Sequence, residues 1–133
     1  MVRYTATLRV FGETFSPILA ERRTGISFTS RNEPGEIATV GRHKGQPLPY
    51  GSGELIYANT GPEPSVSLSQ LLDAATILIP ACRDASATSS VLHLDVAFEE
   101  QCNIEMSAEF LGRVAALGLP LTISCFEDPP AKS

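Results

Sequence analysis

Positive charge is scarce in this chain. Ten Lys and Arg residues stand against fifteen Asp and Glu, a formal net charge of −5 at pH 7. A nucleic-acid backbone rewards Lys and Arg through counterion release, so no nucleic-acid partner is expected. A basic protein partner is compatible with the same charge. Long apolar runs are also missing. No stretch approaches the roughly 20 apolar residues of a membrane-spanning helix, and no membrane partner is expected. The opening MVRYTATLRVFG alternates, which reads as a strand and not as the apolar centre of a secretory signal. Histidine is rare: His43 and His93 stand far apart. The three cysteines, Cys82, Cys102 and Cys125, form no CxxC pair and no ligand spacing. Neither a metal nor a cofactor is expected, and reduced, widely spaced thiols favour the cytoplasm. The GxSxG nucleophile elbow and the GxxxxGK[ST] phosphate loop are both absent.

What is present suffices for one domain. A chain of 133 residues, 43% of them hydrophobic, can bury roughly two-thirds of its unfolded surface without disulfide or metal. Residues 1–128 read as that single domain and 129–133 as a flexible tail.

The densest apolar segment is 65–126. Leu68, Leu71, Leu72, Ala75 and Ile79 form one helical stripe capped by Ser65 or Ser67. Ile77 and Leu78 widen it, which predicts burial on more than one side. Pro80 is expected to kink or end this helix, because it lacks the N–H and collides with the preceding turn. A strand over 91–98 follows, with Leu92, Leu94, Val96 and Phe98 on one face and Val91, His93, Asp95 and Ala97 on the other. Ser107 is a good N-cap for a last helix closed by Gly118. A strand alternating from Leu119 to Phe126 ends the unit. Upstream, Tyr4, Ala6, Leu8 and Val10 alternate with Thr5, Thr7, Arg9 and Phe11 in a first strand. Ser16–Pro17 opens a short helix that Gly25 stops. Residues 26–29 read as a strand, 32–35 as a turn, 37–40 as a returning strand, and 54–59 as another strand. The Gly- and Pro-dense stretch over 41–53 reads as an irregular loop, and 60–64 as a turn. The fold class expected is α+β: a two-layer sandwich with a mostly antiparallel sheet and helices on one face, in a ferredoxin-like-related order β-α-β-β-α-β-α-β.

Ala6–Gly12, Ser16–Pro17, Lys44–Gly45, Leu68–Leu72 and Met106–Phe126 together resemble a mostly bacterial family, domain of unknown function 4279 (DUF4279). The match runs in order along nearly the whole chain, and its most specific part is MSAEFLGRVAALG followed by LPLTISCF. The chain departs from the family in lacking the tryptophan often found after the Lys-Gly loop; Leu55 or Ile56 stands near that position. The resemblance implies this fold, a bacterial or phage origin and no established reaction. Small domains of this kind occur near toxin loci, which implies a possible immunity role.

Three constellations could carry function. Glu99, Glu100, Glu105 and Glu109, with Glu127 and Asp128, gather around the ends of the last two strands. The first four are expected to flank one acidic edge of the kind that imitates phosphates to a basic nuclease; Asp95 joins those four as a candidate partner contact. A solvated rim is the plainer reading. Arg42, His43 and Lys44, framed by Gly41 and Gly45, could grip an anion or contact a partner, although a solvated loop is the plainer reading. His93 and Asp95 share a strand face and are half of a nucleophilic triad, with Ser124 or Thr122 the available hydroxyls; two polar residues on a wet face explain them as well. With the resemblance, the leading expectation is a non-enzymatic, cytoplasmic protein-binding domain, an immunity-type or phage-encoded inhibitor. It is expected to occlude a toxin or defence-system component and to be a monomer or homodimer. The alternatives are a small-molecule- or anion-binding domain using the Gly41–Gly45 loop and, remotely, a hydrolase using His93 and Asp95.

Overall fold

The computed structural model describes residues 2–59 and 65–128, with only the backbone at 2, 58, 59 and 65–67. The expected turn at 60–64, the expected loose tail at 129–133 and the side chains of Ser65 and Ser67 lie outside the described residues. The elements run β1 (Val2–Gly12), α1 (Pro17–Thr24), β2 (Ser30–Asn32), β3 (Gly51–Asn59), α2 (Ser65–Asp84), β4 (Ser89–Phe98), α3 (Ala108–Ala116) and β5 (Leu121–Glu127). This is the expected element order and the expected α+β class.

The five-stranded sheet has the order β2-β3-β1-β4-β5 and is antiparallel except for the β4–β5 pair. β3 and β4 both oppose β1, so they run parallel to each other and α2 crosses over β1 between them. α3 makes the second crossover, from β4 to β5. Parallel neighbours need such long connections, and the helices that supply them cover one face.

Alternation decides which face. Tyr4, Ala6, Leu8 and Val10 of β1 are buried with Leu92, Leu94 and Val96 of β4, and Ala20, Leu71, Leu72, Leu78 and Val114 come down on them from the three helices. Among the described residues no helix lies on the opposite face, where Phe11, Ile56 and Phe126 are all exposed.

Local capping follows the residue types. Ser16 Oγ accepts from Leu19 N, and Gly25 closes α1 in the left-handed conformation, φ 74°. Ser107 Oγ accepts from Phe110 N at 3.1 Å, and Gly118 follows α3 at φ 67°. One cap comes from outside α1. Glu33 Oε1 accepts from Ser16 Oγ at 3.0 Å and Ile18 N at 2.9 Å, placing a carboxylate at the positive end of the helix.

Four expectations are corrected. Residues 26–29 are not a strand; the pairing strand is β2, one step later. Glu21 draws this segment against α1, its Oε2 accepting from Phe28 N at 2.7 Å and its Oε1 from Arg31 Nε at 2.7 Å. Residues 37–40 make only isolated bridges, Ile37 to Pro47 and Ala38 to Lys44, and Val40 is fully outside the core. β3 starts at Gly51 rather than Glu54, inside the stretch expected to be loop. Pro80 does not end α2, which continues to Asp84. Its ring lies on the exposed side of the helix, where the carbonyl it leaves without a donor is open to water.

The glycines in β3 have a packing reason. An added Cβ on Gly51 would collide with the Phe15 backbone carbonyl, and one on Gly53 would lie 2.7 Å from the Phe28 ring. The fully buried Phe15 meets Phe28 edge-on at 6.4 Å. The sheet surface is stripped of side chains there, so that the Phe15 backbone and the Phe28 ring can lie on it.

Among the described residues, no helix is long and apolar enough to cross a membrane.

Candidate functional site

The open face of the sheet is where polar chemistry collects. Cross-strand partners share a face, so the register writes its rows. Glu54, Arg9 and Val91 stand side by side, with Arg9 Nε 3.0 Å from Glu54 Oε1. Ile56, Thr7, His93 and Thr122 form the next row. Thr5, Asp95 and Ser124 follow, then Arg3, Ala97 and Phe126. Arg3 pairs with Asp128 beyond the end of β5.

His93 is the centre of this surface. Its Nδ1 lies 2.5 Å from Thr122 Oγ1 and its Nε2 lies 3.1 Å from Asp95 Oδ1. A carboxylate only accepts, so Nε2 carries the proton toward Asp95; in the neutral ring Nδ1 is then bare and accepts from the Thr122 hydroxyl. Of the two hydroxyls expected from the sequence, the register selects Thr122. Hydroxyl, imidazole and carboxylate in series is the ordering of a nucleophilic triad. The three groups lie on a flat strand surface and the Asp95 side chain is 43% exposed, so water screens the carboxylate. The network also ties the edge strand β5 to β4, which is a sufficient structural reason for it.

The acidic candidates are divided by the fold. Asp95 faces outward from the sheet. Glu99 and Glu100 are exposed in the bend directly after β4. Glu105 and Glu109 belong to the helical side, at a groove of about 420 Å³ between α2 and α3 whose apolar floor is Leu68, Leu72, Met106 and Phe110. Arg113 spans the same groove to Asp73 at 2.7 Å. The single acidic edge expected from the sequence is therefore corrected to two patches. The crossover through α3 carries the chain from one layer to the other within ten residues of Glu99.

Arg42 and Lys44 are exposed, whereas His43 is half-buried against Tyr50, ring centroids 6.1 Å apart. Tyr50 in turn tilts onto Phe11 at 5.2 Å. Three backbone donors of the loop are engaged within it: Lys44 N donates to the Gly41 carbonyl, Gly45 N to Ala38 and Gln46 N to His43. Gly41 and Gly45, at φ 80° and 81°, serve this turn.

The sequence reading missed one pair. Cys102, in the connection before α3, places its Sγ 3.7 Å from Cys125 Sγ on β5. No local spacing signals it, because β5 returns beneath that connection only after α3. Cys82 is different. It is buried in the core, and burial pushes its thiol up to about 12. Among the described residues, no cluster of three or more metal-ligating side chains occurs.

No protein-family model, curated protein or solved structure matches this chain.

Proposed function

We propose that the chain is a non-catalytic protein-binding domain whose partner presents a basic surface. The observation that carries this is the end of the β4–β5 pair. Phe126 is 51% exposed on the open face, level with Ala97 and one row from Asp95, and the Glu99–Glu100 bend leaves β4 beside it. Asp95, Glu99 and Glu100 lie to one side of the ring, and the Arg3–Asp128 ion pair closes the same row. An exposed aromatic ring with carboxylates near it is the chemistry of an interface anchor: the ring supplies burial and the excess of negative charge supplies steering. Glu105 and Glu109 add negative field from the helical side. In this reading the domain is an immunity-type or phage-encoded inhibitor that occludes a toxin or defence-system component, in keeping with the resemblance to DUF4279.

Co-expression with the product of the neighbouring open reading frame tests it. The wild-type chain is expected to co-purify with that product and to neutralise its toxicity. Glu100→Lys combined with Glu105→Lys should slow association about 10- to 100-fold at low salt, while Glu13→Lys, a distant exposed charge, changes it little. A wild-type chain that retains no partner and protects no cell sinks the proposal.

A second reading, hydrolysis through Thr122, His93 and Asp95, is favoured by the 2.5 Å and 3.1 Å contacts alone. It predicts that the wild type cleaves an activated ester faster than His93→Ala does. Equal rates remove it.

A further inference from the structure

The geometry points to Cys102 and Cys125 as a site of reversible oxidation, where the two thiols close to an intramolecular disulfide. They are 23 positions apart in the chain and their sulfurs are 3.7 Å apart in the fold. A disulfide needs about 2.05 Å, so the sulfurs must approach by less than about 2 Å. Cys102 stands in the 99–106 connection, which is neither helix nor strand, and can move toward β5 without breaking the sheet ladder.

The two thiols differ in a way that assigns their roles. Cys125 is exposed and meets an oxidant first, whereas Cys102 is half-buried and packs against the core. Burial, and then its contact with Cys125, holds the Cys102 thiol protonated. Tyr4 belongs to the core cluster against which Cys102 packs. Its phenol is pushed up by burial first and then by the two cysteines, so it stays protonated. Cys82 takes no part, being enclosed in the core.

The oxidant is a hydroperoxide. The Cys125 thiolate attacks the terminal peroxide oxygen and the O–O bond breaks. The alkoxide or hydroxide leaves and takes a proton, and Cys125 becomes a sulfenic acid. The Cys102 sulfur then attacks the Cys125 sulfur. The S–S bond forms, the S–O bond breaks, and the departing hydroxide leaves as water with the Cys102 proton. Two thiols lose two electrons and two protons, the peroxide gains them, and a thiol reductant reverses the change. The product fastens the connection carrying Glu99, Glu100 and Glu105 to the edge strand.

The full chain treated with hydrogen peroxide, then alkylated, is the test. Trypsin cuts after Arg83 and Arg113 and so places Cys82, Cys102 and Cys125 on three separate peptides. The expected product has lost two hydrogens, links the Cys102 and Cys125 peptides, and melts roughly 10 °C higher until dithiothreitol is added. Cys82→Ser, whatever it costs the core, should form the same Cys102–Cys125 link as the wild type, and Cys102→Ser should leave Cys125 as a sulfenic acid open to trapping. A wild-type chain that carries the oxidation on Cys125 alone, links through Cys82, or couples two chains overturns the inference.

Discussion

Alanine at Gly51 should cost about 3 kcal/mol of folding free energy, a loss read directly from the urea midpoint. The methyl group would enter the space held by the Phe15 carbonyl, and backbone cannot rotate away as a side chain can. Relief requires that the 12–17 turn lift from the sheet. Phe15 would rise with it, and Phe15 is fully buried against Phe28. Gly112→Ala is the matched control. That glycine lies inside α3, its added Cβ meets nothing within 4 Å, and alanine there should stabilise by about 0.5–1 kcal/mol through helix propensity. Opposite signs for the same chemical change would show that packing, not backbone freedom, holds glycine at Gly51. Equal effects would discard that explanation.

Leu78→Ala is expected to lose about 3 kcal/mol, and its neighbour Ile77→Ala less than about 0.5 kcal/mol. Leu78 is 0% exposed, whereas Ile77 is 57% exposed. The expectation that both are buried on a helix covered from several sides is thereby corrected for Ile77. α2 presents one face to β1 and β3 and its flanks to α1 and α3, while the side carrying Ile77 meets water. The cost at Leu78 combines lost apolar transfer with a cavity that the sheet beneath cannot close. Denaturation curves of the two variants separate the cases, and a comparable loss at Ile77 would mean that α2 is rotated from the position described.

Much of the architecture is legible in local sequence because its causes are local. The period of two in Tyr4, Ala6, Leu8 and Val10 places a buried face before any partner strand is known. Ser16–Pro17, Ser107, Gly25 and Gly118 mark helix ends because capping involves atoms within about four residues. The same locality explains the errors. Residues 26–29 alternate like a strand, yet Glu21 and the packing of Phe28 hold them as an extended connection. Gly51 and Gly53 have loop composition, yet strand pairing with β1 claims them. Pro80 breaks helices in isolation, yet α2 runs past it because its other face is held by the core.

The site divides along the same line. Sequence by itself determined that His93 and Asp95 share a face, since they are two apart on a strand. It determined the element order, the caps, the acidic excess and the want of any metal-ligand spacing. Only the tertiary structure decided that Thr122 rather than Ser124 meets His93, that Cys102 meets Cys125, and that the acidic residues fall into two patches. Each of these depends on β5 lying parallel to β4 at the sheet edge after the α3 crossover. That placement rests on burying Val114 and Leu119 against the core, a collective packing preference that no short window of the chain contains.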